Sequence, residues 1–366
     1  MSLMEACPAC LRRTWLLDRI SGHLDQHRDR WGELLALEDH ELIAALGGTQ
    51  REQLEGEYGD YVTEPSRSAI AHAGLDVVCP CRAFYPARLR ELDTPPPVLH
   101  VADELLRLND LLARPVVAIV GSREPSPYGS TTARELGRGL AAAGVTVLSG
   151  MARGIDTHAH RGALSVNGPT VAVLPGGADR PYPPRARTLH ERIVRQCAAV
   201  SEFPPGSEPR RWMFPARNRL IAALADMTVV VEARPESGAL ITANIADGLG
   251  RRVAAVPGRI NSPLARGPHG LLRHGAALVD GCEGILDELF GAGARPTPIQ
   301  PLEVTQTQHV LLDALAEGRD TSTALYRANL TVDDGLAALA ELELAGLVRR
   351  GRNGEYTVAV GWKGPG

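Results

Sequence analysis

Six short runs in the middle of the chain, 115–120, 145–148, 170–174, 198–201, 228–231 and 253–256, are apolar at nearly every position and rich in valine, isoleucine or alanine. A strand with one wet face alternates polar and apolar residues, so runs without alternation read as strands covered on both faces. Helical stretches lie between most of them, the first over 131–143, and helices are the usual crossovers between parallel strands. The pattern predicts a doubly wound α/β domain with a mostly parallel sheet, ending near Phe290.

Ligands of an open parallel sheet sit beyond the carboxyl ends of its strands, so the residues following each run are the first candidates for function. Gly121, Ser122 and Arg123 follow the first run and lead through Ser126, Tyr128 and Gly129 into a helix. Ser149 and Gly150, then Arg153 and Gly154, follow the second, and Gly176 and Gly177 follow the third. After the fifth, Glu236, Ser237 and Gly238 open a helix that carries Thr242. Small residues let backbone amides approach a ligand, and helix N-termini add partial positive charge. Several such ends with arginines beside them predict a phosphate site. No G-x-G-x-x-G follows the first strand and no G-x-x-x-x-G-K-[ST] occurs, which argues against a dinucleotide site and a P-loop.

The strongest local cluster is 209–219, where Arg210, Arg211, Arg217, Arg219 and Asn218 surround Trp212 and Phe214. Arginine grips phosphate with a two-pronged fork, and aromatic rings stack on unpaired bases, so this is the composition of a single-strand binding groove. The alternative is an arginine-rich loop paired with Glu202 and Glu208. His158 and His160, near Asp156, imitate a metal-binding H-x-H, but no second metal motif follows, and packing or capping is the better account. Ser122 has no histidine base placed beside it by the sequence, so no triad is read.

The flanks differ in texture. Residues 1–75 read as short helices, with Leu34, Leu35, Leu42, Ile43 and Leu46 at helical spacing before Gly47-Gly48 and a second helix through Ile70 stopping at Gly74. That suits a helix-hairpin-helix or sterile-alpha-motif-like module, or a plain helical cap. The main domain is expected over 76–290, and 291–303 is a linker by its Gly, Ala and Pro content. Three helices and a hairpin over 304–366 form a winged helix-turn-helix pattern. Its expected recognition helix, 331–345, carries Asp333, Asp334, Glu341 and Glu343 and no basic residue. A major-groove reader needs Arg, Lys, Asn or Gln there, so this helix is expected to serve protein contact or packing. Arg349, Arg350 and Arg352 on the wing could still touch a backbone.

The net charge of −4 excludes a chain that coats nucleic acid by bulk charge, so a polyanion site must be a local patch. Lys363 is the only lysine, which leaves phosphate recognition to arginine. The start, MSLMEACPACLRR, has no basic-then-apolar leader, and no apolar run approaches the roughly 18 residues of a membrane span, so a cytoplasmic protein without a membrane partner is expected. Six cysteines in that compartment are not expected to form disulfides. Cys7 and Cys10 have knuckle spacing for tetrahedral zinc, and Cys79 and Cys81 could complete a four-thiolate structural site, although the spacing inside the second pair is tight. Reduced thiols without a metal are the alternative.

Taken in order, the loops resemble the DNA-processing protein A family (DprA, also called Smf). The resemblance is carried by Val117-Ala-Ile-Val-Gly121-Ser-Arg123 and by Ser149-Gly-Met-Ala-Arg153-Gly-Ile-Asp156. Val173-Leu-Pro-Gly-Gly-Ala-Asp-Arg-Pro-Tyr182, Ser201-Glu-Phe-Pro-Pro205, Phe214-Pro-Ala-Arg217-Asn-Arg219, Ser237-Gly-Ala-Leu-Ile-Thr242 and Val256-Pro-Gly258 continue it over about 85–290. It implies an extended Rossmann-like domain flanked by a sterile-alpha-motif-like domain and a winged helix. It also implies a non-enzymatic homodimer that binds single-stranded DNA and loads the recombinase RecA during natural transformation. Carried over by motif, Gly121, Ser122 and Arg123 would grip a phosphate, with amides of Ser149 and Gly150 beside it. Phe214, Arg217, Asn218 and Arg219 would line the groove, with Ser237 and Gly238 at the last helix start. The rival enzyme reading is a lysine-decarboxylase-like phosphoribohydrolase, whose P-G-G-x-G-T-x-x-E motif is broken here after Pro175-Gly176-Gly177. A further rival is an adaptor with a vestigial anion site, against which the arginine cluster argues.

Overall fold

The computed structural model describes residues 6–102, 104–293, 306–344, 348–350 and 355–358. The chain divides into two compact units, 1–296 and 297–366. The first is built on a nine-stranded sheet: β1 (Leu75–Val78), β2 (Leu99–Ala102), β3 (Val116–Val120), β4 (Thr146–Ser149), β5 (Thr170–Val173), β6 (Ala198–Ser201), β7 (Met227–Val230), β8 (Arg252–Ala255) and β9 (Ala277–Leu278). Their spatial order is β1-β2-β6-β5-β4-β3-β7-β8-β9. From β6 to β9 all neighbours are parallel, and β1 and β2 add antiparallel at one edge.

The central strands are buried at every position, as their unalternating sequences require. One apolar layer lies on each face of the sheet. Val117, Ile119, Val147 and Val229 point to the side where the helices Pro127–Ala142 and Ile155–Ser165 pack. Val116, Ala118, Val120 and Val230 point to the side of the helix Met213–Leu224. The chain runs outward from β3 through β4 and β5 to β6, then returns across to β7 on the other side of β3. The loops leaving β3 and β7 therefore diverge and open a crevice between them, the switch point at which such sheets bind ligands.

The expected division at residue 75 takes a different form. Short helices do fill the N-terminal segment, among them Pro8–Arg19, Asp39–Leu46 and Glu64–His72. The second of these starts with a reciprocal capping box between Glu38 and Glu41, and the chain leaves it through Gly48 at a positive φ of 50°. Yet these helices share one compact unit with the sheet. Their core of Leu16, Leu24, Leu42 and Ile43 is completed by Phe203, Trp212 and Met213 from the α/β part. Trp212 is fully buried and its indole N–H donates to the Ser21 carbonyl at 3.0 Å.

The second unit contains the helices Gln306–Ala316, Thr321–Arg327 and Val332–Leu344, followed by an antiparallel pair, β10 (Val348–Arg350) and β11 (Tyr356–Val358). Leu311, Leu312, Leu339 and Leu342 form its small core. The helix expected over 331–345 spans 332–344, and its Asp333, Asp334, Glu341 and Glu343 are exposed. Most of the expected linker, 294–303, and the turn bearing Arg352 lie outside the described residues.

Two histidines buried in the main sheet region tie its stability to pH. Burial lowers His100 on β2 to about 4 and His160 to about 3, against an ordinary value near 6.5. Below about pH 6.5 the unfolded chain binds protons that the folded one excludes, so stability falls with decreasing pH by up to about 2.7 kcal/mol per unit from the pair. Urea midpoints between pH 7.5 and 5 should show this loss, and His100→Leu should remove about half of the slope above pH 5.

Candidate nucleic-acid interface

A cleft of about 510 Å³ lies at the crevice between the β3 and β7 ends. Gly121, Ser122 and Arg123 supply one wall, Ser237 and Gly238 a second, and Phe214, Arg217 and Asn218 on the helix Met213–Leu224 the third. Eight of the eleven expected binding residues meet there. The Arg123 guanidinium lies over the Phe214 ring at 5.0 Å, and Tyr182 meets the same ring edge-on at 5.3 Å. A cation and an aromatic ring thus line the cleft together, with Arg123 exposed and Tyr182 packed on the ring. Asn218 donates from Nδ2 to the Gly238 carbonyl at 3.3 Å, linking two walls.

Arg217 is the deepest cation. It is 4% exposed, and its Nη1 donates to the Val173 carbonyl at 2.7 Å. Desolvation lowers it to about 10, with buried Asp156 opposing and Arg123 adding repulsion, so it remains charged at neutral pH. Asp156 responds in the opposite sense: burial raises it, while Arg217 and the amides of Ala152 and Gly150 favour its ionised form. The Arg217 Nε has no hydrogen-bond partner. Burying a guanidinium with incomplete pairing is costly, which suits a site that an anion completes.

Three expectations change. The Gly150 amide is not offered to a ligand; it donates to Asp156 Oδ2 at 3.2 Å. Gly150 is glycine because a Cβ there would lie 1.6 Å from Arg217 Nη1. Ser149 is fully buried, its hydroxyl donating to the Ile119 carbonyl at 2.6 Å, so it braces β4 against β3. Arg219 lies on the other side of its helix, as a two-residue step of about 200° dictates. There its fork closes on Glu202 at 2.7 and 2.6 Å, with both side chains about 95% buried. The pairing with Glu202 weighed from the sequence accounts for Arg219 alone, and Trp212 is likewise taken up by the N-terminal helices.

The first helix start is also occupied. Glu232, just beyond β7, is buried and accepts from the Ser126 amide at 2.8 Å and the Ser126 hydroxyl at 2.7 Å. A Cβ on Gly129 would stand 2.2 Å from Glu232 Oε2, so the carboxylate rests on the first turn of the helix Pro127–Ala142. An internal anion thus holds the place that a phosphate would have taken. The Ser122 amide is committed too, donating to the Glu232 carbonyl at 2.6 Å. Ser237 caps its own helix through Ala239, while Gly238 beside it is exposed to the cleft. Arg234, exposed on the same wall, was not singled out from the sequence, although it follows β7 more closely than Ser237 does. His160, buried against Thr170 Oγ1 at 2.7 Å, is a packing residue. Among the described residues the one group arranged for a metal is Cys7, Cys10, Cys79 and Cys81.

Fold and cleft together define a Rossmann-like α/β protein with a cationic, aromatic-edged site at its switch point. The family model of DNA recombination-mediator protein A matches residues 76–290, and the chain belongs to that family. It is 43% identical over 230 residues to protein Smf of Synechocystis, a match spanning 62% of this chain and 55% of that relative. Among solved structures, DNA processing protein A of Streptococcus pneumoniae superposes with a TM-score of 0.61 at 31% identity, covering 76% of this chain and 96% of that one. DNA processing protein A of Helicobacter pylori, solved for its single-stranded DNA binding mode, gives 0.51 at 28% identity, covering 59% and 95%.

The two buried arginines should separate in mutagenesis. Arg219→Ala strands a buried carboxylate and should cost about 3–5 kcal/mol in urea unfolding, with most of that recovered when Glu202→Leu is added to Arg219→Leu. An Arg219→Ala protein of unchanged stability that lost nucleic-acid binding would return Arg219 to the groove.

Proposed function

We propose that this protein binds and protects single-stranded DNA in the cleft between β3 and β7 and delivers it to the recombinase RecA during natural transformation and recombination. It acts as a homodimer and without a catalytic step. The observation that carries the reading is the convergence of Arg123, Arg217 and Arg234 with Phe214 on one cleft, the Phe214 ring being braced by Tyr182. Guanidinium groups neutralise the backbone and the ring offers a stacking face that tolerates any base. Asn218, Ser122, Ser237 and Gly238 supply polar edges around them. Family membership supports the same reading, and RecA delivery and dimerisation follow from it rather than from the cleft.

A hydrolytic role is disfavoured by the groups present. No histidine lines the cleft among the described residues, and the Ser122 hydroxyl accepts from the Glu124 amide at 3.1 Å. Asp156 is tied to two amides. Among the described residues no helix is long and apolar enough to cross a membrane.

Fluorescence anisotropy of labelled oligo-dT against the matching duplex, over a salt series, tests the site. Single strand should bind more tightly, and Arg123→Ala or Arg234→Ala should each weaken binding and flatten the logarithmic salt slope by about 0.7. Phe214→Ala should cost about 1–3 kcal/mol with the slope nearly unchanged. Tight binding indifferent to all three substitutions would move the site elsewhere, and no binding at low salt would overturn the reading.

A further inference from the structure

The cysteine cluster lies apart from the cleft and has no part in the DNA-binding reading. Cys7 and Cys10 flank the start of the helix Pro8–Arg19, and Cys79 and Cys81 follow directly on β1. The four ligand atoms all lie within 4.8 Å of one another, although some seventy residues separate the pairs. The Cys7 and Cys81 sulfurs are 3.8 Å apart, and those of Cys10 and Cys81 are 3.9 Å apart. Tetrahedral zinc with bonds of about 2.3 Å places its sulfurs about 3.8 Å from each other. A disulfide would need about 2.05 Å, and no disulfide joins any of the six cysteines.

The surroundings are built to hold four sulfurs in this arrangement. The Cys7 amide donates to the Cys79 sulfur at 3.4 Å, and Cys7 occupies the N-cap of a twelve-residue helix, where partial positive charge favours a thiolate. Arg90 holds the loop after Cys79, its guanidinium donating to the carbonyls of Pro80, Arg82 and Tyr85. It also brings a positive charge beside a centre whose four thiolates would outweigh the ion by two charges. Cys79 is buried, Cys7 and Cys10 are half-buried and Cys81 is exposed, so an ion can enter from the Cys81 side.

We propose that Cys7, Cys10, Cys79 and Cys81 bind one zinc ion in a closed, structural four-thiolate site. With every position taken by sulfur, no coordination place remains for water or substrate, so the ion does no chemistry. Its role is to clamp the start of the first helix to the edge of the sheet. That closes the segment of helices which packs on Trp212, the residue just ahead of the helix bearing Phe214 and Arg217.

The full-length protein, purified under reducing conditions, should carry one zinc per chain by elemental analysis. Exchange with cobalt(II) should give sulfur-to-metal charge transfer and the strong visible bands of a tetrahedral thiolate complex. Cys10→Ser and Cys81→Ser should lose the zinc to a chelator that the wild type resists, and Cys282→Ser should keep it. The cobalt spectrum is read on the wild type, so a variant that fails to fold does not decide the matter. Wild-type protein that stays metal-free after zinc reconstitution would overturn the proposal. A disulfide linking the two cysteine pairs in place of metal would do the same, as would Cys81→Ser protein retaining zinc like the wild type.

Discussion

Two guanidinium groups buried on opposite sides of one helix set the constraint to which much of the surrounding structure answers. A buried arginine cannot shed its proton at any ordinary pH, so each of its surroundings must supply acceptors or opposite charge. For Arg219 the answer is Glu202, pulled below the surface just beyond β6 and gripped by both prongs of the fork. For Arg217 it is looser, one carbonyl of β5 and the electrostatic influence of Asp156. Glycine at position 150 follows from the second, because the guanidinium occupies the space a side chain would need. The fully paired arginine faces the N-terminal helices, and the incompletely paired one faces the cleft.

The same helix joins two parts of the molecule. Trp212, Met213 and Ala216 complete the core of the N-terminal helices, while Phe214, Arg217 and Asn218 line the cleft. Arg210 also bonds Ser21 through its Nε at 3.0 Å, and the Trp212 amide donates to Asp25 at 3.1 Å. Much of the arginine-aromatic cluster therefore docks one part of the unit on another. The N-terminal helices thereby fix the pose of the helix that presents Phe214.

How much of this could be read in the sequence follows from the range of the interactions. Strands β3 to β7 declare themselves because burial on both faces leaves apolar residues at successive positions, a purely local signal. Strand β2, Leu99–Ala102, escapes it because His100 sits in its middle and Pro95 to Pro97 precede it, although the histidine is wholly buried. The candidate cleft was legible as far as proximity to strand ends could carry it, which located Arg123, Ser237 and the 213–224 helix. Which of Arg217 and Arg219 faces the cleft depends on the rotational setting of that helix, and Trp212 fixes this through a contact nearly two hundred residues away in sequence. Spacing suggested the two cysteine pairs, but only the fold of the helices between them brings the sulfurs together.

Glu232 shows why counting glycine-rich helix starts overestimates anion sites in such a sheet. Directly after β7 it reads as a loop carboxylate, yet it folds back onto Ser126 and the bare backbone of Gly129. The donors at that helix start are satisfied internally, and an approaching phosphate would meet a carboxylate there. At the helix that begins at Gly238 the cap is a neutral serine and the first residue lacks a side chain, although the exposed Glu236 stands two residues ahead of it on the cleft wall. Arg234 stands on the same wall, and Arg123 and Arg217 line the cleft with it. The start of the helix Pro127–Ala142 is therefore closed to an anion, whereas Gly238 and Arg234 stay exposed on the cleft with Glu236 between them.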